Sequence, residues 1–240
     1  MPLRWLTQRF GRYEHMAIPD NLKPILEEHG FAVLPVCLDE ETVNHLSRQF
    51  DEKQESQRNI LSIPVVRELA KSRSVRQLLE TVLGPKCFAV RGIFFNKTNE
   101  SNWKVVWHQD VTIAVRERKD VEEFGPWSQK DGVLHVQPPS QVLGGMVSIR
   151  LHLDESEYDN GPLRVIAGSH TGGRLSAEQI VACEKNNEIV CTIPKGGALL
   201  MRPLVLHASS ACQVSKPRRV IHLEFAAENL PHGLEWYEAV

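Results

Sequence analysis

The sequence predicts a mainly β domain with flanking helices, an α+β arrangement around a β-sandwich or barrel of jelly-roll type. Three observations predict it. Apolar residues in the first third recur at helical spacing, whereas short apolar runs of strand texture dominate from residue 87 onward. Turn signals punctuate those runs at Asn160-Gly161-Pro162, Gly172-Gly173, Pro194-Lys195-Gly196-Gly197 and Lys216-Pro217. Helices do not alternate with the strands, which argues against a parallel α/β sheet.

Taken in order, residues 21–29 hold Leu22, Ile25 and Leu26 at helical spacing, and a short strand follows at 31–36. Residues 40–50 place Val43, Leu46 and Phe50 on one helical face behind Asp39 as the cap. Residues 75–83 carry Val75, Leu78, Leu79, Val82 and Leu83, with Ser74 and Gln77 as a capping box and Gly84-Pro85 as the stop. Strands are expected at 87–96, 104–115, 144–154, 162–167, 188–193, 197–202 and 218–227. One small helix interrupts them at about 177–183, behind a Ser176/Gln179 capping box. The chain therefore reads as one domain, 1–240, with a mostly helical flank over 1–86 and a β core over 87–230. Residues 116–143 fit neither texture. They open on a charged stretch and run through Gly125-Pro126-Trp127 to Gln137-Pro138-Pro139. A long insertion between strands that directly follows the best motif reads as a lid.

Composition narrows the function. With 240 residues, 42% hydrophobic and 24% charged, the chain can bury one large core. A formal net charge of −2 gives no general attraction to nucleic acid or anionic membranes, so neither is expected as a partner. The five cysteines, Cys37, Cys87, Cys183, Cys191 and Cys212, contain no C-x-x-C pair. That argues against a zinc knuckle or a disulfide framework and favours a reducing, cytoplasmic setting. No window of about 18 apolar residues occurs, so no membrane span is expected.

The chemistry concentrates in Trp107-His108-Gln109-Asp110. An H-x-[DE] pair alone is weak, because about one is expected by chance in a chain of this composition. Three occur: His108/Asp110, His152/Asp154 and His222/Glu224. A metal site with open positions, two imidazoles and one carboxylate on one face, needs a third ligand from a strand remote in sequence. Only His108/Asp110 leaves enough chain to return a second histidine, and His207 ends the apolar run Ala198 to Leu206. His152/Asp154 reads as a decoy, with Asp154 serving the turn toward Asn160-Gly161 and His152 sharing a strand face with Arg150 that could line the cavity, and His222/Glu224 leaves too little chain for a third ligand. Eleven residues beyond His207, Arg218 opens a strand, where a fixed cation could grip the distal carboxylate of 2-oxoglutarate. Arg219 faces the other way, so a slip of one residue would exchange them.

The ordered set WHQD, DNGPLRVIAGSH (159–170), GGALLMRP…LHAS and a basic residue eleven after the histidine resembles the phytanoyl-CoA dioxygenase family. Phe94-Phe95-Asn96-Lys97 matches it as well, and the likeness runs from about residue 20 to residue 230. The resemblance implies a double-stranded β-helix of cupin-like form, with Fe(II) and 2-oxoglutarate as cofactors and O2 as oxidant. It carries the metal ligands onto His108, Asp110 and His207. It carries the co-substrate contacts onto Arg218, with Ser209 as a hydroxyl partner and Ile93 as an apolar wall. Arg150 stands where many members have an aromatic residue. Asp110 occupies the place where related halogenases have a small residue, so hydroxylation of a C–H bond in a small-molecule substrate is the expected outcome. His135, Gln137, His152 and Trp127 are the candidates for substrate contact, although Trp103, Trp107 and Trp127 read first as packing residues. The readings weighed against this one are a catalytically silent binding protein on the same barrel and a cupin-like metal isomerase.

Overall fold

The computed structural model describes residues 19–97, 104–214 and 216–240, so Trp103 and the start of the helical flank lie outside the described residues. The flank comprises α1 (Leu22–His29), β1 (Phe31–Leu34), α2 (Glu40–Gln49), β2 (Gln57–Arg58), α3 (Pro64–Lys71) and α4 (Arg73–Leu83). The core follows as β3 (Phe88–Lys97), β4 (Val105–His108), β5 (Ile113–Val115), β6 (Trp127–Lys130), β7 (Val133–Val136) and α5 (Ser140–Gly144). It continues with β8 (Met146–His152), β9 (Leu163–Ile166), α6 (Ala177–Ala182), β10 (Glu188–Cys191), β11 (Ala198–Met201), β12 (His207–Ser209) and β13 (Arg218–Ala226).

A six-stranded sheet runs in the order β1-β11-β8-β13-β3-β2 and a four-stranded sheet in the order β10-β9-β12-β4. Their pairings are antiparallel throughout, as the turn-punctuated sequence predicts. A small third sheet, β5-β7-β6, is built largely from the 116–143 insertion. Residues 127–136 of that segment form a hairpin turned at Asp131-Gly132, where Gly132 has φ 78°, behind an irregular stretch over 116–126.

Period-two alternation decides what each sheet face meets. Every residue of β8 and β13 is buried, so neither face is open to bulk water. Val147, Ile149 and Leu151 of β8, with Ile221, Leu223 and Phe225 of β13, join Phe94 and the apolar faces of α1 to α4 in the largest core. The alternate residues, Arg150, His152, Arg218, His222 and Glu224 among them, face between the sheets. Apolar residues outward and polar residues inward is the reverse of a plain sandwich, and it marks the interior as a place for a polar ligand.

Local signals explain the flank. The Asp39 side chain accepts from the Thr42 N–H at 2.7 Å and starts α2. The Ser176/Gln179 capping box is present at α6. At α4 the cap is Ser72, accepting from the Val75 N–H, in place of the expected Ser74/Gln77 box, because Ser72 also ends α3 and the two helices share the corner. α3 itself begins with Pro64 in its first turn, a start signal that the reading above passes over. α1 stops at Gly30, φ 81°, whose N–H bonds the Leu26 carbonyl; a Cβ there would meet His170 Nδ1 at 2.5 Å. The single strand expected at 104–115 breaks into β4 and β5, because residues 109–112 leave the ladder to position Asp110.

Phe94 is fully buried and stacks on Phe50, with ring centroids 4.6 Å apart, joining β3 to the end of α2. Phe94→Ala is expected to lower stability by about 3–5 kcal/mol, read as a shift of the urea midpoint with unchanged slope.

Candidate metal centre

The centre is assembled by one strand pairing. β12 runs antiparallel to β4 with His207 opposite His108, and their ring centroids lie 4.2 Å apart. β4 ends at His108. Asp110, two residues on, is fixed by its N–H to the Pro203 carbonyl at 2.9 Å. Gln109 points the other way and is buried. Its amide donates to the carbonyls of Gly173 (2.9 Å) and Leu204 (2.7 Å), and its oxygen accepts from the Leu175 N–H at 2.8 Å. The residue inside the H-x-D motif thus pins the loop that carries the carboxylate.

The Nδ1 atoms of His108 and His207 lie 2.8 Å and 2.9 Å from the carbonyls of Val106 and Val205. A carbonyl only accepts, so each Nδ1 carries the hydrogen and each Nε2 lone pair is free. Those Nε2 atoms stand 4.0 Å and 3.7 Å from the two Asp110 oxygens. One ligand atom from each of the three residues falls within 4.8 Å of the others, a donor set suited to a divalent transition metal. His207 is buried, whereas the His108 and Asp110 side chains are 37% and 39% exposed, so the triad opens on one side. Burial raises the Asp110 pKa, but His207, His222, His108 and Arg91 outweigh it and hold the carboxyl at about 2. Desolvation pulls His207 down to about 4 despite the Asp110 charge, so its imidazole is neutral at physiological pH.

Deeper in the barrel the inner face of the large sheet is cationic. Arg218 is buried and its Nε has no hydrogen-bond partner. Arg219 points outward, donating to Asp154 through Nε (2.8 Å) and Nη2 (2.7 Å) and to the carbonyls of Ser47 (3.3 Å) and Phe50 (3.0 Å). The two arginines therefore have opposite tasks, and Asp154 is an ion-pair partner and not the turn residue expected of it. Arg150 lies over the Phe95 ring at 5.0 Å, with Nη1 3.3 Å from His222 Nδ1 and its own Nε unpartnered. Both ring nitrogens of His152 are buried without partners. Lys97 Nζ reaches Ser209 Oγ at 3.4 Å and also the Ser210 carbonyl. Desolvation lowers Lys97 to about 8, Arg150 to about 10 and Arg218 to about 10, and carries His152 well below its ordinary value. Buried donors left unpaired cost about 1–3 kcal/mol each. An acidic ligand is the group that would satisfy them. Ile93 shares this face as the cross-strand neighbour of His222.

The insertion supplies two of the remaining candidates. Gln137 lines a cleft of about 520 Å³ together with His108, Val111, Pro126, Arg174 and Leu175. His135 is buried beside Arg91, Lys130 and Glu224. Trp127 sits on the opposite face of the hairpin, packed into the second core under Arg118 and away from the triad. The sequence reading missed Lys97, Arg91 and Lys130, and it set His222/Glu224 aside. The alternation Arg218, Val220, His222, Glu224 would have placed His222 and Glu224 on the face that carries the arginine.

A family model for phytanoyl-CoA dioxygenase (PhyH) matches residues 26–220. The chain belongs to this family. Its fold is shared with known structures. Iron-bound HygX from Streptomyces hygroscopicus is 15% identical with a TM-score of 0.64, covering 88% of this chain and 87% of that one. EctD from S. alaskensis with bound Fe is 17% identical with a TM-score of 0.66, over 90% and 79% of the two chains. SnoN, a non-heme alpha ketoglutarate dependent epimerase from nogalamycin biosynthesis, is 15% identical with a TM-score of 0.63, over 89% and 88%. Comparison with curated proteins gives no significant match. These likenesses confirm the double-stranded β-helix that the sequence predicts. No helix among the described residues is long and apolar enough to cross a membrane.

Two outcomes follow from the geometry. Fe(II) added without oxygen at about a hundredfold over its Kd is expected to stabilise the protein by about 2.7 kcal/mol. In a thermal scan that gain disappears in Asp110→Ala. Lys97 has a folded pKa of about 8 against an ordinary 10.5, so between those values the unfolded chain holds more protons. Stability from this group is therefore expected to rise with pH across that window, and urea titrations of Lys97→Met are expected to lack the rise.

Proposed function

We propose that this chain is a non-haem Fe(II)- and 2-oxoglutarate-dependent oxygenase that hydroxylates an unactivated C–H bond of a small molecule. The observation that carries the reading is the convergence of His108 and His207 from two paired strands with Asp110 from the loop after the first, in a barrel that also holds a buried arginine whose Nε lacks a partner. Family membership supports it. So do the similar structures, HygX with nickel and 2-oxoglutarate bound and EctD with 2-oxoglutarate and 5-hydroxyectoine.

In this reading His108, Asp110 and His207 hold the iron, and Arg218 takes the distal carboxylate of 2-oxoglutarate. Ser209 and Lys97 lie beside that carboxylate, Ile93 forms an apolar wall, and Arg150 replaces an aromatic wall with a cation. Iron and 2-oxoglutarate together supply the oxidising power, with O2 consumed and succinate and carbon dioxide released. The chain's own part is positional. The Val106 and Val205 carbonyls keep both imidazoles turned toward Asp110, Gln109 anchors the loop between them, and the buried arginine fixes the co-substrate's orientation. The 116–143 insertion acts as the cover. Its turn residue Asp131 is tied to Arg58 at the edge of the large sheet, 2.9 Å apart. A second outcome, inversion of a stereocentre, is favoured by the epimerase among the similar structures. Product analysis separates the two.

Substrate-independent formation of succinate tests the reading. The Fe(II)-loaded protein is expected to turn over 2-oxoglutarate slowly in air, and His108→Ala or Asp110→Ala to abolish this. Full retention in either variant removes the assignment. Arg218→Ala is expected to raise the 2-oxoglutarate requirement by about a hundredfold with little change in stability. Arg219→Ala is expected to cost about 3 kcal/mol of stability and leave that requirement unchanged.

A further inference from the structure

Five side chains beside the triad have no part in holding iron or co-substrate. Arg91 and Glu224 face each other across β3 and β13 as an ion pair of 3.1 Å, with side chains only 8% and 10% exposed. His222 Nε2 stands 3.4 Å from Glu224. The register of the hairpin puts Lys130 beside Val133, and His135 two residues further on, on the face opposite the second core. The two groups of residues meet. Lys130 feels the charges of Arg91, Arg58, Asp110 and Glu224, and His135 those of Arg91, Lys130 and Glu224.

The carboxylates around the opening are already committed, Asp110 to the metal triad and the other two to arginines. Arg91 is matched by Glu224 and Arg58 by Asp131. Lys130 has no carboxylate partner among the described residues; its Nζ bonds the Thr112 hydroxyl at 3.1 Å. The His135 Nδ1 donates to the Val133 carbonyl at 3.0 Å, which leaves Nε2 as a bare acceptor. That Nε2 is buried without a partner, in a residue only 1% exposed. One unmatched cation and one unfilled acceptor thus stand on the same wall, next to a carboxylate that opens toward them. Desolvation holds His135 at about 4, so at neutral pH it accepts and carries no charge.

We infer that this wall is the substrate-recognition surface, and that it takes a small amino or hydroxy acid. The substrate's carboxylate meets Lys130, and its N–H or O–H donates to His135 Nε2. An apolar acyl chain does not fit this wall, because it would cover the Lys130 ammonium and leave His135 Nε2 unfilled while returning no hydrogen bond to either. The inference rests on the oxygenase reading and narrows its substrate class.

Anaerobic calorimetry on the Fe(II)- and 2-oxoglutarate-loaded protein tests it. The probes are the standard L-amino acids and short 2-hydroxy acids, each paired with its carboxamide, with palmitoyl-CoA as the long-chain acyl thioester comparator. At least one acid is expected to bind about tenfold or more tightly than its amide, the scale of a charged hydrogen bond. Lys130→Gln is expected to erase that preference and Lys130→Arg to keep it. His135→Phe is expected to weaken the acids that carry a donor more than their donor-free analogues. Equal binding of acids and amides, an unchanged preference in Lys130→Gln, binding of palmitoyl-CoA alone, or no binding of any acid overturns the inference. Slow succinate formation by the wild-type protein without substrate reports on the oxygenase reading separately, so the two failures are distinguishable.

Discussion

Everything at this site depends on the register of one short ladder. β12 has only three residues, yet pairing with β4 sets His207 directly opposite His108. A shift of one residue would turn one imidazole to the far face of the sheet, because side chains alternate with period two. The register is held from outside the ladder. Val165 of β9 pairs with His207 from the other side, and the Leu206 N–H is bound by the Ser169 hydroxyl at 2.8 Å. Gln109 and the Pro203 carbonyl then place Asp110 without a ladder of its own. The donor set is thus preorganised by backbone pairing and one buried amide, the arrangement that keeps a metal site from being loose.

The second constraint is the inverted polarity of the large sheet. Its outer face packs on four helices and supplies the main apolar core. Its inner face carries arginines, histidines and a glutamate that are costly to bury unless paired. One row, Arg91, Glu224 and His222, is matched within the protein. The other row, Arg218, Arg150 and His152, holds unpartnered atoms and awaits an acid. Stability is carried by one face and function by the other, and adjacent residues divide accordingly. Arg219 ties β13 to α2 and Asp154, whereas Arg218 turns inward.

Much of this was legible in the sequence. Val147, Ile149 and Leu151 alternating with Ser148, Arg150 and His152 announce a strand with one apolar and one polar face, although not that both faces are buried. Asp39, Ser176 and Gln179 announce helix starts. The remoteness of His207 from His108, with strands between, singles out the H-x-D pair that the structure brings together with a second histidine. The failures have physical causes. Ser74 carries a good box pattern, but Ser72 sits at the corner where α3 ends, and chain direction there outranks local propensity. The 127–136 hairpin has a usable signal, Asp131-Gly132 between two strand-like runs, hidden by the charged stretch before it. His222 and Glu224 are set aside as a metal pair because too little chain follows them to return a third ligand, and that argument says nothing about which way they face. Only their spacing from Arg218 places them inside, and no spacing reveals that a distant hairpin brings Lys130 and His135 against them.

Two imidazoles on paired strands, with one carboxylate from the adjoining loop, are proposed to hold a single iron. X-ray absorption at the iron edge on the anaerobic Fe(II)-loaded protein measures it most directly. The account predicts one iron per chain with oxygen and nitrogen neighbours only, and outer-shell scattering from two imidazoles that falls to one in His207→Ala. A spectrum without imidazole scattering, or one that His207→Ala leaves unaltered, would contradict it.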